Sequence, residues 1–473
     1  MTDAPGTAAP ATAAQQPAEV VPDVELTIGR PAHGGHFVAR HEGRVVFVRH
    51  ALPDERVRVR FTETDPAASF WRADVVEVLE ASPQRTAHPW RPADALAAGA
   101  RGRAAVGGAE FGHIRLDEQR RLKGAIFREQ LERLAHAERT PTVEAAPGEA
   151  EDGLGWRTRA AFAVDRSGHL AMHQHRSHEV VPVREMPLAV PAVNALGLWT
   201  IDFTGIDRVD VAVPSGGGEP LVLLVPSAGT HPRRVAAVAA AITGSSVAVL
   251  DPESGRVERL KGRTWLQESV LGVDYRVTGA GFWQIHRGAP EALVEAVLDG
   301  LQPAAGERLA DLYAGAGLFT VPLARAVGAD GAVLSVEGSS GTVRDARRNL
   351  HGQAQVSIVQ GRVDAALGRW SDPLDAVLLD PPRAGAGKKV VGQIIAARPR
   401  TVGYVSCDPA SFARDLGYFL AAGWSLDTLR VFDLYPHTHH MESFARLLPP
   451  RAYQPQRLRG SARRRPPGRP PAS

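Results

Sequence analysis

Along the last third of the chain, short apolar runs alternate with helical stretches. The runs lie at 308–312, 332–336, 356–359, 376–379 and 401–405. That rhythm is βαβ, and near-continuous apolar strands belong to a parallel sheet covered on both faces. Two further runs, 425–434 and 444–448, are joined by a short loop. They predict a closing antiparallel hairpin and hence a seven-stranded, Rossmann-like α/β sheet.

Upstream the pattern changes. Residues 24–28, 43–48, 56–61 and 73–79 read as short strands broken by Gly, Pro or Asp. Arg56-Val-Arg58-Val-Arg60-Phe61 alternates with period two, one face basic and the other apolar. A small closed, OB-like barrel over 23–84 would present Arg30, Arg40, Arg44, Arg58 and Arg60 outward as a phosphate-contacting surface. Between 85 and 270 the signal is mixed. An amphipathic helix is predicted over 116–134, with Leu116, Leu122, Phe127, Leu131 and Leu134 on one face. Strands at 156–164, 180–183, 221–225 and 246–250 and a helix at 233–242 make an α+β domain. The regular α/β sheet then occupies 271–450. Residues 1–22, rich in Ala and Pro, and 451–473, rich in Pro and Arg, read as disordered tails, the second basic enough to add RNA affinity.

Composition adds bounds. The chain has 473 residues, 44% of them hydrophobic, too many for one compact core. No apolar stretch is long enough for a membrane span and no secretory signal opens the chain, so a cytoplasmic protein is expected. The single cysteine rules out an internal disulfide framework. A formal charge of only +3 makes clustering of arginine more informative than net charge.

The chemistry concentrates at strand ends. In Tyr404-Val-Ser-Cys407-Asp-Pro-Ala-Ser-Phe-Ala-Arg414, the one cysteine sits between a strand and a helix predicted over 409–422. In an open α/β sheet that edge binds ligands, and the helix N-terminus is expected to favour the thiolate. Asp311-Leu-Tyr-Ala-Gly315-Ala-Gly317 ends the first strand with glycines that allow close approach to a ligand. The third glycine of a dinucleotide fingerprint is replaced by Thr320, which fits S-adenosylmethionine better than a pyrophosphate. Glu337, ending the second strand, is placed to hold two ribose hydroxyls. Asp380-Pro-Pro-Arg383 makes a rigid turn whose carboxylate is suited to accept from a base N–H. Leu434-Tyr-Pro-His437-Thr-His439-His440-Met-Glu442 lacks metal-ligand spacing, so no metal is expected, and a carboxylate general base in this loop is the better reading.

These motifs resemble the RNA uracil-5-methyltransferase family, S-adenosylmethionine-dependent enzymes that make 5-methyluridine in rRNA or tRNA. The likeness runs from the barrel, which is similar to a TRAM domain, to Leu448, and includes Phe282-Trp-Gln284. It implies that Gln284, Tyr313, Glu337 and Asp380 contact the cofactor or target, that Cys407 is the nucleophile, and that Glu442 is the base. The implied partner is RNA, rRNA favoured because of the barrel and tRNA the other option, and the enzyme is expected to be a monomer. Relatives in the rRNA branch often carry a four-cysteine iron–sulfur cluster. Here Gly107-Gly-Ala109-Glu-Phe-Gly-His-Ile114 has no cysteine, so no cluster is expected and apolar packing would take its place. A cytosine-5-methyltransferase would usually show a cysteine where this chain has Asp380-Pro-Pro-Arg383. An adenine-N6 methyltransferase would need no cysteine, and a non-catalytic RNA-binding protein would yield no methylated product.

Overall fold

A computed structural model of the chain describes residues 23–451 apart from Arg176. The tails expected at 1–22 and 451–473 lie outside these residues, Arg451 excepted.

Six strands form the N-terminal barrel, in the order Val24–Thr27, Arg56–Glu63, Phe70–Glu80, Arg44–Arg49, His36–His41, Pro31–Ala32. It closes where Gly29 N donates to Val38 O at 2.8 Å and Val38 N donates to Arg30 O at 2.9 Å. A Cβ on Gly29 would stand 2.9 Å from that Val38 oxygen, so the seam requires glycine. Alternate side chains, among them Val46, Val48, Val57 and Val59, fill the interior. The outward arginines are less free than the alternation suggested. Arg58 is bound by Glu25 and Glu77, Arg60 by Asp23, and Arg30 by Glu129. Arg44 donates to the carbonyls of Asp65, Pro66 and Ala68 and lies over the Trp71 ring. This face is therefore largely neutralised, and Arg40 alone of the five has no acidic or aromatic partner among the described residues, donating only to Gly43 O.

The central segment builds a seven-stranded sheet in the order Val180–Pro182, Leu170–His173, Arg159–Val164, Ile206–Ala212, Leu221–Pro226, Ser246–Leu250, Val257–Lys261. A hairpin of Trp265–Val270 and Val273–Thr278 leads from it into the last sheet. The amphipathic helix spans Leu116–Gln130 and continues as a π-helical turn, Leu131–Ala135. That change of pitch rotates Leu134 out of the expected apolar face, leaving it 39% exposed.

The C-terminal sheet runs in the order Val356–Gln360, Ala332–Glu337, Arg308–Leu312, Ala376–Leu379, Thr401–Ser406, Glu442–Leu448, Ser425–Asp433, Val143–Ala145. The first five strands are parallel and Glu442–Leu448 is antiparallel to its neighbours. All seven expected strands are present. An eighth, Val143–Ala145, comes from the central segment and pairs with Val431–Asp433. The order reverses between Arg308–Leu312 and Ala376–Leu379, which opens a crevice at the carboxyl ends of the strands.

Two contacts tie the segments together. Residues 107–114 use Ala109 against the central core and Phe111 and Ile114 against the barrel core. Apolar packing is half of the account there: His88 covers Gly112, where a Cβ would meet its Nε2 at 2.3 Å, and bonds to Ala109 O at 3.0 Å. In the second contact, Lys123 on the long helix is fully buried, with Nζ 2.5 Å from Asp433 and 3.1 Å from Tyr435 O. Lys123→Ala would leave Asp433 buried beside only Arg120 at 3.4 Å. A loss of about 3–5 kcal/mol in urea unfolding is expected, whereas Arg121→Ala, on the exposed side of the same helix, should cost under about 1 kcal/mol.

Candidate functional site

Across the edge of the C-terminal sheet, the strand-end residues fall in the spatial order Glu337, Asp311, Asp380, Cys407, Glu442. Four strand spacings of about 4.8 Å separate the first from the last, roughly 19 Å, enough for two ligands laid end to end. One cavity of about 1220 Å³ follows this edge. Gln284, Tyr313, Glu337, Asp380, Cys407 and Glu442 all line it, whereas the fully buried Asp311 does not.

At one end, the chain turns sharply after Leu312. Tyr313 has φ 64°, Gly315 57° and Gly317 92°, all in the left-handed region. A tyrosine there carries backbone strain of about 1–2 kcal/mol, a cost that recurs at ligand sites. Glu337 Oε2 accepts from Gly315 N at 3.0 Å and Oε1 from Ser339 N at 2.7 Å. Each oxygen keeps a lone pair for a further donor. Asp311 is fully buried and bonded to Thr320 through one oxygen, the other having no partner. Burial, followed by repulsion from Glu337, lifts its carboxyl to about 7.

The other end holds Cys407 and Glu442. Ser406 pairs with Ser443 in antiparallel register, so Cys407 stands opposite Glu442 as the two strands part. Glu442 is the first residue of its strand, not a loop residue as expected, which fixes its backbone. Tyr435 donates its hydroxyl to Glu442 Oε2 at 3.1 Å. Burial and then the nearby Asp380 hold the Glu442 carboxyl well above the usual range, and burial and then Asp311 lift Asp380 to about 7.

Asp415 locks the frame around Cys407. Its Oδ2 accepts from Tyr404 OH at 2.8 Å, Ala386 N at 2.7 Å and Gly387 N at 3.1 Å, joining the cysteine loop to the Asp-Pro-Pro-Arg turn. A loop of the barrel also reaches the site: His33 Nε2 lies 2.8 Å from Asp408 Oδ2.

The expected thiolate is not favoured by its surroundings. Burial, then Glu442 and Asp380, push the Cys407 thiol up to about 12, against the opposing pull of Arg383. Asp408 caps the following helix by accepting from Ser411 N at 2.7 Å, so a carboxylate occupies the positive end that was expected to serve the sulfur. Iodoacetamide should therefore label this single cysteine at least about tenfold more slowly than a free thiol at pH 8, with the rate still rising above pH 10. Fast labelling that levels off near pH 8 would contradict the burial argument.

The three histidines of the last loop have separate tasks. His437 bonds to Asp152 O and Gln119, His439 lies 3.6 Å from Glu110, and the His440 ring is edge-on to Tyr435. Among the described residues no group of three or more His, Cys, Asp or Glu is arranged to hold a metal ion. Sequence reasoning passed over three cavity residues, Glu110, Arg157 and Asp364. For Asp364 a signal existed, since Gly361-Arg-Val-Asp364 follows a sheet strand as the other ligand loops do.

Residues 364–448 match the family model described as tRNA (Uracil-5-)-methyltransferase, and residues 17–76 match the TRAM domain. An uncharacterized RNA methyltransferase of Streptomyces avermitilis is 43% identical over 439 residues, covering 90% of this chain and 98% of the relative. The chain belongs to the RNA uracil-5-methyltransferase family. A further relative, the 23S rRNA (uracil(1939)-C(5))-methyltransferase RlmD of Shewanella denitrificans, is 29% identical over 472 residues, 90% of this chain and 96% of its own. Among solved structures, the Pyrococcus abyssi tRNA (uracil-54, C5)-methyltransferase in complex with S-adenosyl-L-homocysteine shares the fold. Its TM-score is 0.67 at 21% identity, over 89% of this chain and 99% of that one. Among the described residues of this methyltransferase, no helix is long and apolar enough to cross a membrane.

Proposed function

We propose that this enzyme methylates carbon 5 of a uridine in RNA, 23S rRNA in the first place, through a covalent adduct on Cys407 with Glu442 as the base. The observation that carries the reading is the pairing of the only cysteine with a buried carboxylate across one strand register, in a cavity whose far end is built around Glu337. The preference for rRNA rests on the barrel and on the Shewanella relative. The lone thiol suits a reducing cytoplasm.

The cavity fits S-adenosylmethionine. The open lone pairs of Glu337 suit a ribose diol, and a wall carrying Asp380, with Asp311 buried beside it in the sheet, suits a sulfonium cation. When bound, that group supplies an electrophilic methyl. Glu337 would hold the ribose and Tyr313 and Gln284 would flank the donor. Asp380 would accept from a base N–H.

Carbon 5 of uracil is too weak a nucleophile to take a methyl group unaided. Cys407 attacks carbon 6 as the thiolate, its proton released to solvent. The sulfur–carbon bond forms, and the ring π-pair moves onto the carbon 4 oxygen as an enolate. Carbon 5 then accepts the methyl group. Glu442 takes the carbon 5 proton, the ring double bond re-forms, and the thiolate leaves. The uridine must first leave its stack to enter the cavity.

The test is methyl transfer from labelled S-adenosylmethionine to transcripts of 23S rRNA and of tRNA, followed by nucleoside mass spectrometry. 5-Methyluridine in the rRNA is expected. Product in tRNA alone would move the substrate, and 5-methylcytidine, N6-methyladenosine or no product would overturn the reading.

A further inference from the structure

Arg157 is a largely buried guanidinium on the cavity wall that forms no ion pair with any described residue. Its backbone is fixed on both sides, N donating to Leu188 O at 2.8 Å and O accepting from Val190 N at 2.9 Å. Its Nε donates to Arg159 O at 2.7 Å and the guanidinium lies 5.9 Å from the centre of the Trp156 ring, which orients the plane and leaves the two terminal nitrogens without a hydrogen-bond partner among the described residues. Buried arginines are normally matched by a carboxylate, because an unmatched charge loses its hydration for nothing. Glu110 lines the same cavity and supplies opposite charge without touching Arg157; it is itself engaged by Gly108 N at 2.8 Å and faces His439. Burial draws the Arg157 guanidinium down, while Tyr435 and Glu110 oppose that. A cation kept charged but unneutralised on a ligand-facing wall is the arrangement expected where negative charge appears only during a reaction.

Its place relative to the chemistry is set by Tyr435. The Tyr435 ring meets Trp156, the neighbour of Arg157, edge-on at 5.8 Å, and its hydroxyl is committed to Glu442. In a pyrimidine, carbon 4 adjoins carbon 5. With carbon 6 at Cys407 and carbon 5 at Glu442, the carbon 4 oxygen would lie beyond Glu442, on the side where Tyr435 stands with Trp156, the neighbour of Arg157, against its ring. Since Tyr435 has spent its proton on Glu442, Arg157 is the uncommitted donor on that side. Arg383 also carries no ion pair among the described residues, but it is exposed on the cysteine side, where water weakens its field.

We infer that Arg157 is a catalytic residue that donates to the carbon 4 oxygen of the target uracil and stabilises the enolate formed when Cys407 adds. This deepens the proposed function and rests on it. The step adds no reagent: the electron pair displaced by sulfur comes to rest on an oxygen that accepts from the guanidinium, and it returns to the ring when carbon 5 takes the methyl group.

The test pairs Arg157→Met and Arg157→Lys with RNA carrying either uridine or 4-thiouridine at the target, read as single-turnover methyl transfer. On uridine, Arg157→Met should lose about 100-fold in rate with RNA affinity changed less than about threefold, and lysine should recover about tenfold of it. On 4-thiouridine, whose sulfur is a poor acceptor, the same substitution should cost under about tenfold, because wild type has already lost the contact. Equal losses on both substrates, a wild-type rate for Arg157→Met, or the same non-additivity at Arg383→Met instead would overturn the assignment. If Arg157→Met does not fold, the lysine variant and the two substrates carry the comparison alone. A wild-type enzyme that makes no 5-methyluridine overturns the proposed function itself, a result distinct from an active enzyme indifferent to Arg157.

Discussion

Cys407→Ser should lower 5-methyluridine formation by at least about 10,000-fold, the scale seen when a covalent nucleophile is removed. Serine is nearly isosteric, and it keeps the link between Ser406 and the cap Asp408, so the fold and the RNA affinity should remain. The loss would be chemical. A hydroxyl in a pocket that already pushes a thiol up to about 12 has no accessible anionic form near neutral pH. Intact-mass analysis with RNA containing 5-fluorouridine gives the direct check. Wild type should yield a stable protein–RNA adduct, since no removable proton remains at carbon 5, and Cys407→Ser should yield none. An adduct or turnover that survives the substitution would remove sulfur from the mechanism.

How much of this was legible in the sequence divides along the range of the interactions. Glycines, prolines and acids at strand ends mark a ligand edge by local rules, and the βαβ rhythm says which ends share it. Cys407, Glu337 and Asp380 could therefore be placed on that edge from local rules and Glu442 from the family resemblance, although their spatial order needed the sheet. What stayed hidden depends on partners far along the chain. The neutralisation of Arg58 and Arg60 follows from cross-strand register with Glu25 and Asp23, which alternation alone does not fix. The eighth strand, Val143–Ala145, is three residues long and exists because Val431–Asp433 offers it an edge. Lys123 drew no notice in the sequence, because its partner Asp433 lies 310 residues away. Arg157 gave no signal either, because an arginine just ahead of a strand is unremarkable until it is found without an ion pair among the described residues. The thiol expectation failed for a related reason: the local helix rule was sound, but Asp408 had already taken the helix end, and burial, then carboxylates far along the chain, push the thiol up.

Glu442→Gln should separate the two halves of the reaction. The amide keeps the shape and can still accept from Tyr435, so addition and methyl transfer should proceed once. It cannot take the carbon 5 proton. Sulfur leaves only when that proton has gone, so a methylated covalent adduct should accumulate while turnover falls by as much as about 10,000-fold. Digestion of the adduct should leave Cys407 carrying a nucleotide that includes the transferred methyl, a species wild type passes through too quickly to hold. The pH dependence carries a sign as well. Burial and Asp380 raise the Glu442 carboxyl, and only its ionised form serves as base. In wild type, turnover should therefore fall more steeply than the burst of methyl transfer as pH is lowered from 8 to 6. In Glu442→Gln that difference should vanish, because the residue no longer titrates. Free 5-methyluridine released by this variant at the wild-type rate would move the base to another residue, and Asp380, next along the sheet edge with its carboxyl lifted to about 7, is the group that would then have to be tried.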